Sequence, residues 1–252
     1  MIRKLWNRDK WLLTPQIEHA RLAGLIAASW NYSGDKPSDE VIQSIRRHDD
    51  GWKEADETPL VNAAGAPMNF DEGELARSTG IWSRSSQLLA DEGKLVGAAL
   101  VASHFLYFAE NTVDLSKASA RAAVAAGKFI AQQRALVQKA KSASSTISDS
   151  EFQKHLRLLQ VCDAISILLC GDFIGEHQLV DVPYLDGSTT LNLSRKSDNL
   201  TLTLSPLPFK KNLRDHVNCF IVPRRIYETS EELQSTLKST RASNNEVHLG
   251  GS

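Results

Sequence analysis

The period of the hydrophobic pattern changes once along the chain, near Gly175. Before it, apolar residues recur every three or four positions, as in amphipathic helices, whereas TTLNLSR, NLTLTLS and HVNCFIV later alternate polar and apolar residues as strands do. We therefore predict a mainly α fold, a helical bundle with a small C-terminal antiparallel β meander. The helical domain is expected over residues 1–175, a β-rich extension packed on it over 176–242, and a disordered tail over 243–252.

Start and stop signals divide the helical part into six segments. Thr14-Pro15 is typical of a helix start, and glycine or proline separates most of the other segments. The predicted helices span about 14–30, 37–48, 71–90, 93–109, 115–141 and 151–169. A long loop is expected over 52–70, and SEELQSTLKS predicts one further helix after the strands.

Composition narrows the classes of protein to which the chain can belong. A formal net charge of −1 gives no electrostatic reason to expect nucleic acid or an anionic membrane as a partner. No segment approaches the roughly 18–20 apolar residues of a membrane span. The three cysteines, an odd number without CxxC spacing, predict buried thiols in a reducing compartment, and the N-terminus does not resemble a secretory signal. We expect a cytoplasmic location.

Several polar residues fall on the apolar stripes of the predicted helices. His19 is followed by apolar residues at spacings of three, four, seven and eleven, and Asp163 has apolar residues four and seven positions away on both sides. His104 lies in a similar apolar setting, and His48 ends an apolar stripe directly before Asp49. Three imidazoles and two carboxylates are therefore expected to face the interior of one bundle.

Each of these residues also has a simpler interpretation. A lone histidine on an apolar face is most often a hydrogen-bonded core residue, and Asp49 at a helix end is usually solvated. A buried Asp163 costs several kcal/mol unless it is paired, and Arg21 or Arg157 could pair with it. The shared alternative is a metal ion. Imidazole nitrogen and carboxylate oxygen suit a divalent transition metal such as Mn, Fe, Co, Ni or Zn.

The order of these residues resembles a known superfamily. His19, the pair His48-Asp49 and Asp163 follow the H…HD…D order of the HD-domain superfamily of metal-dependent phosphohydrolases, in which the HD pair ends a helix. More narrowly, EHARLAG, HDDGW, the SH of ALVASHFLYF and the D of LLQVCDAISILLC are similar to an uncharacterised bacterial family of unknown function. This resemblance covers most of residues 10–172 and implies an HD-like helical metal-binding domain.

The resemblance implies roles for individual residues. His19, His48, Asp49 and Asp163 would be metal ligands, and His104 would serve a second metal or the scissile phosphate. Asp50 would orient the attacking water or act as base, or it is simply a solvated carboxylate.

Other residues are candidates for substrate contacts. Lys53, which follows HDDGW, is the preferred cationic contact for phosphate. Trp52 and Trp82 either wall the pocket or pack in the core. Only His104 has suitable surroundings between the HD pair and Asp163, so a full two-metal site is in doubt.

The implied activity is hydrolysis of a small phosphorylated molecule or nucleotide through a metal-bound hydroxide. Two alternatives stay open, namely an oxygenase of the same fold with two irons, and a non-catalytic metal- or ligand-binding sensor module. The expected partner is a small phosphorylated substrate, without a nucleic acid polymer or a membrane. The β-rich extension either forms a homodimer interface or covers the helices.

Overall fold

A computed structural model describes residues 1–32, 36–111, 118–143, 147–185, 187–195 and 200–251. Eight α-helices lie in this part of the chain, α1 (Gln16–Ser29), α2 (Asp39–Arg46), α3 (Lys53–Glu57), α4 (Leu75–Asp91), α5 (Leu95–Asn111), α6 (Ala120–Ala143), α7 (Asp149–Cys170) and α8 (Ser230–Ser239). Seven of them confirm predicted helices, although the first residues of the 115–141 prediction lie outside the described ranges. The eighth, α3, lies within the segment predicted as a loop.

Capping groups explain where several helices begin. Ser38 accepts a hydrogen bond from the Val41 backbone N–H at the start of α2, and Ser148 accepts one from Glu151 at the start of α7. Helix α1 instead receives its cap from another element, because Asp56 Oδ2 of α3 accepts from the backbone N of Gln16 at 2.6 Å. No helix among the described residues is long and apolar enough to cross a membrane.

The described strands form one seven-stranded sheet. They are β1 (Ile2–Asn7), β2 (Lys10–Thr14), β3 (Gly175–Tyr184), β4 (Gly187–Arg195), β5 (Thr201–Ser205), β6 (Leu213–Pro223) and β7 (Ser243–Gly251). Their order in the sheet is β1-β2-β6-β7-β5-β4-β3. Only β5 and β7 pair in parallel, and the remaining neighbours are antiparallel.

The predicted fold class, a mainly α bundle with a small C-terminal meander, is therefore wrong. The sheet is large and joins the two ends of the chain, since β2 pairs with β6 through contacts such as Leu12 opposite Ile221. Of the tail predicted to be disordered, residues 243–251 form β7, which lies between β6 and β5, and residue 252 lies outside the described ranges. The three predicted strands, TTLNLSR, NLTLTLS and HVNCFIV, are confirmed as parts of β4, β5 and β6.

One hydrophobic core connects the sheet to the helices. Leu12 of β2, Ile26 of α1, Leu100 of α5 and Leu159 of α7 are all fully buried in it. The three cysteines are unpaired and buried, as predicted. Helices α1, α2, α5 and α7 pack against one another, and the side chains described next lie between these helices.

Candidate metal centre

The five histidine and aspartate residues singled out from the sequence come together in one buried cluster. His19, His48 and His104 are each 1% exposed, and Asp49 and Asp163 are each 4% exposed. Two groups within the cluster have the spacing of metal ligands, namely His19 with His48 and Asp49, and His48 with His104 and Asp163. We call these five residues the His/Asp cluster.

Four elements bring the cluster together. His19 lies on α1, His104 on α5 and Asp163 on α7, while His48 and Asp49 follow the end of α2. The helices approach closely at glycine. A Cβ added to Gly24 of α1 would lie 2.5 Å from the Cβ of Arg46, and one added to Gly97 of α5 would lie 1.9 Å from Ser44 Oγ. Glycine at these crossings lets α2 deliver His48 to the other helices.

The glycine of HDDGW has a similar role. A Cβ at Gly51 would lie 2.2 Å from the carbonyl oxygen of Ile81 on α4, and the Gly51 N–H donates to Ser85 Oγ at 3.0 Å. The chain therefore turns directly against α4 after Asp49. This contact fixes the backbone that carries His48 and Asp49.

Hydrogen bonds behind His19 determine which of its nitrogens carries a proton. Ser166 Oγ donates to the Asp163 carbonyl at 2.8 Å, so its oxygen is left to accept from His19 Nδ1 at 3.0 Å. In the neutral imidazole the lone pair is then on Nε2, which lies 2.7 Å from Asp49 Oδ2. Two lone pairs at this distance repel each other unless a positive group lies between them.

His48 has the same arrangement. Its Nδ1 lies 2.8 Å from the Ile45 carbonyl oxygen, which only accepts, so Nδ1 carries the hydrogen. Nε2 faces Asp163 Oδ1 at 3.2 Å and Asp49 Oδ2 at 3.8 Å. Histidine ligands of metals are commonly oriented by such a bond from the other ring nitrogen.

Within each of the two groups, the nitrogen–oxygen separations suit a shared ion. Two atoms bound to one ion at about 2.1 Å lie at most about 4.2 Å apart. The Nε2–Oδ contacts of His19 and His48 with the two aspartates, at 2.7, 3.2 and 3.8 Å, all fall within that limit. Both groups contain His48, and its Nδ1 is occupied by the bond to the Ile45 carbonyl, so the single lone pair of Nε2 can serve one ion at a time.

The electrostatics of the cluster also favour a cation. Burial lowers the pKa of His48, but the charges of Asp49 and Asp163 and a hydrogen bond to Asp163 outweigh burial and raise the pKa to about 9. Burial raises the pKa of Asp163, yet its hydrogen bond with His48 and the nearby imidazoles lower the pKa to about 2. Without an ion, a proton on His48 supplies positive charge between Asp49 and Asp163.

His104 differs from the other two histidines. Burial lowers its pKa to about 4, and the neighbouring carboxylates do not offset this effect. Nε2 lies 3.6 Å from Asp163 Oδ2, too far for a good hydrogen bond, and Nδ1 has no hydrogen-bond partner among the described residues. His104 is thus a neutral imidazole beside the centre, without the backing bond that orients His19 and His48.

A cavity of about 470 Å³ opens onto the His/Asp cluster and is within the usual size of small-molecule sites. Four cluster residues line it, and His19 lies behind them. The remaining walls are mainly aromatic and aliphatic, namely Trp52, Phe70, Leu75, Trp82, Phe105, Phe108 and Ile167. Gln16, Asp71, Gly73 and Ser78 complete the lining.

The structure does not bring Asp50 and Lys53 to this cavity. The carboxylate of Asp50 accepts from Arg47 Nε at 2.6 Å, and Arg47 also pairs with Glu92 at 2.7 Å. Lys53 is exposed at the start of α3 and does not line the cavity. Neither side chain is therefore placed to contact a molecule bound there.

The arginines considered as partners of Asp163 are engaged elsewhere. Arg21 pairs with Asp215 at 2.7 Å and with Glu18 at 3.3 Å. Arg157 donates to the carbonyl oxygens of Val180 and Asp181 of β3. The charged and polar neighbours of the Asp163 carboxylate in the structure are the histidines of the cluster.

The cavity has more walls than the sequence predicts. Trp52 and Trp82 line it, in agreement with one of their two interpretations, and Phe105, Phe108 and Gln16 line it without having been predicted. Their spacing carried a usable signal. Gln16 lies three residues before His19 on α1, and Phe108 lies four residues after His104 on α5, so each shares a helix face with a cluster residue.

The described chain thus combines a seven-stranded mixed sheet, packed helices and a buried His/Asp cluster beside an aromatic cavity. It belongs to a family described as a protein of unknown function (DUF3891), whose family model matches residues 1–224. No curated protein and no solved structure matches the chain.

The resemblance to the HD-domain superfamily is accordingly wrong. The family that matches is DUF3891, and the fold has a large curled sheet where an HD-like helical bundle was expected. Four polar residues in short, separated stretches are too few to identify a superfamily. The spatial convergence of the His/Asp cluster is an observation of this chain and does not depend on that resemblance.

Proposed function

We propose that this chain is a hydrolase that depends on one divalent transition metal ion, held by His19, His48, Asp49 and Asp163. A single observation carries the proposal. Hydrogen bonds on the far side of His19 and His48 turn their Nε2 lone pairs toward two buried carboxylates, at 2.7 and 3.2 Å. Both contacts need positive charge between nitrogen and oxygen; a bound cation would supply it, and without the ion a proton on His48 supplies it at the second contact.

Such an ion lowers the pKa of a bound water to about 7 and so provides a nucleophile at neutral pH. The chain's own residues then complete the site. Asp49 and Asp163 balance the charge of the ion, and Ser166 and the Ile45 carbonyl keep the two imidazoles in the ligating tautomer. His104 is neutral, lines the cavity and has its Nε2 3.6 Å from Asp163 Oδ2, where it would accept a proton from the water.

The predicted phosphorylated substrate has weaker support than hydrolysis itself. Phosphate sites usually contain arginine or lysine, and no arginine or lysine lines the cavity among the described residues. The oxygenase alternative needs ligands for two irons, whereas the two groups of the cluster share His48. The buried thiols agree with the predicted reducing, cytoplasmic setting, which stays a prediction.

The test is reconstitution of the chelator-treated protein with Mn, Fe, Co, Ni or Zn in turn, followed by assays of p-nitrophenyl acetate and p-nitrophenyl phosphate. We expect hydrolysis of at least one ester that a chelator abolishes and the ion restores. His48→Ala should remove this activity, because His48 belongs to both ligand groups.

His216→Ala is the matched control, since His216 is exposed on β6, outside the cluster. Equal metal-dependent rates in His48→Ala and the control would contradict the proposal.

A further inference from the structure

Resting on the proposed hydrolase function, we infer that the substrate is an uncharged, flat aromatic ester or amide, recognised by Gln16 and by an aromatic wall. The inference concerns the cavity next to the His/Asp cluster. Three independent features of its lining support it, namely charge, ring geometry and one unpartnered amide.

The charge of the cavity disfavours a phosphate substrate. Its charged lining among the described residues consists of Asp49, Asp71 and Asp163, together with whatever charge the histidines carry. A divalent ion neutralises two carboxylates, and Asp71 leaves the lining neutral to negative. A phosphate dianion entering this cavity would meet the ion but no arginine or lysine, whereas an uncharged ester or amide loses little solvation there.

The aromatic wall begins directly beside the cluster. Phe105 follows His104 in α5, and the rings of Phe105 and Trp82 stack with centroids 5.4 Å apart and planes 11° apart. Phe108 packs edge-on against His104 at 4.9 Å. These rings present a flat apolar surface next to His104 of the cluster. An aromatic group bound against them would hold the ester or amide bond attached to it near the nucleophile.

Gln16 supplies the polar contact. It is 2% exposed and lines the cavity, and its Oε1 has no hydrogen-bond partner among the described residues. A buried amide oxygen without a partner costs stability, and a donor on a bound ligand would satisfy it. Because the last side-chain torsion of glutamine is soft, either the carbonyl or the NH₂ can turn toward the cavity. A carboxamide or ester on the ligand complements both.

The reaction consumes one water. The oxygen of the activated water forms a bond to the acyl carbon, and the bond from that carbon to the leaving oxygen or nitrogen breaks. One proton of the water passes to the leaving group, which departs as an alcohol or an amine, and the other proton is released to solvent. The other product is a carboxylate, whose negative charge disfavours its retention beside Asp71.

The inference is tested by binding before turnover, with benzamide and phenyl phosphate as probes of equal ring size. Each is titrated into the metal-loaded full chain while tryptophan fluorescence is followed, since Trp52 and Trp82 line the cavity. We expect saturable binding of benzamide and at least tenfold weaker binding of phenyl phosphate. Comparable or tighter binding of phenyl phosphate, or no binding of benzamide, would overturn the inference.

Failure of the two proposals can be separated. If benzamide binds but neither p-nitrophenyl ester is hydrolysed, the ligand class stands and the hydrolase function fails. If the phosphate ester is hydrolysed and the acetate is not, hydrolysis stands and the ligand class fails.

Variants test the individual contacts. Gln16→Met should weaken benzamide binding roughly five- to tenfold while leaving or raising the melting temperature, because it removes an unpartnered group. Gln133→Met is the contrast. Gln133 is also buried, but its Oε1 accepts from Ser86 Oγ at 2.6 Å, so this variant should lower the melting temperature and leave binding unchanged.

The aromatic wall has its own pair of variants. Trp82→Leu should weaken benzamide binding about tenfold by removing the stacked ring. Trp11→Phe, on β2 and outside the cavity, should not change the affinity for benzamide.

A Gln16→Met protein that loses stability but keeps full affinity would show that Gln16 has only a structural role.

Discussion

Binding of a divalent ion should release a proton from His48 at neutral pH. In the protein without metal, Nε2 of this buried imidazole faces Asp163 Oδ1 at 3.2 Å, and the neighbouring carboxylates raise its pKa to about 9. The ion needs the same lone pair. Metal and proton therefore compete for one atom.

The size of this competition follows from the pKa. At pH 7, about two units below the pKa of about 9, His48 is protonated. Removing its proton at this pH so that the ion can bind costs roughly 3 kcal/mol. The apparent dissociation constant for the metal should therefore fall about tenfold per pH unit from pH 7 toward pH 9 and then level off. Asp163, with a pKa of about 2, and His104, with a pKa of about 4, release no protons in this range.

Isothermal titration calorimetry in two buffers of different ionisation enthalpy counts the protons released per ion. We expect at least one proton at pH 7 and, from chelator competition, a pH dependence of the affinity with a slope of at least one. His216→Ala should behave like the wild type, since that histidine is exposed on β6. An affinity that does not change between pH 7 and pH 8.5 would refute the reasoning.

Two further predictions concern stability. Folding raises the pKa of His48 from 6.5 to about 9. The contribution of its proton to the free energy of unfolding is therefore fully present below pH 6.5 and is lost as pH rises through 9. Denaturant titrations of the metal-free protein should show a loss of about 3 kcal/mol between these pH values. Gly51→Ala should destabilise the fold by about 1–3 kcal/mol and weaken metal binding, since its Cβ would lie 2.2 Å from the Ile81 carbonyl oxygen. Gly80→Ala, in an exposed helical position with nothing within 4 Å of the added Cβ, should instead stabilise by about 0.5–1 kcal/mol.

Helical periodicity identified most helices and four members of the His/Asp cluster, because a polar residue within an apolar stripe stands out at any distance along the chain. Asp49, the fifth member, was indicated by its position next to His48. The sheet was harder to predict. Strand β1 contains Lys4, which is only 1% exposed, and β7 carries its apolar residues behind Ser-Asn-Asn-Glu. Strands β2 and β6 pair although they come from opposite ends of the chain, and such long-range pairing leaves no local signal.

The directions of side chains near the site were also beyond local patterns. Lys53 follows HDDGW directly, but adjacency in sequence does not determine direction, and the short helix α3 leaves Lys53 exposed. Spacing indicates the face on which His19 lies but not the Ser166 hydroxyl behind it, which comes from α7, 147 residues away. That hydroxyl keeps the hydrogen of His19 on Nδ1 and so leaves the Nε2 lone pair free for a metal ion, which the order of the residues along the chain does not show.

The number of metal ions bound per chain decides whether the His/Asp cluster is a metal centre. The protein is purified without chelator, saturated with one divalent ion, freed of excess ion and analysed by elemental mass spectrometry. We predict one ion per chain for the wild type and for His216→Ala, and none for His48→Ala with helix content retained, because His48 is common to both ligand groups. Full occupancy in His48→Ala, or a wild type that retains no ion at any pH between 7 and 8.5, would contradict the account.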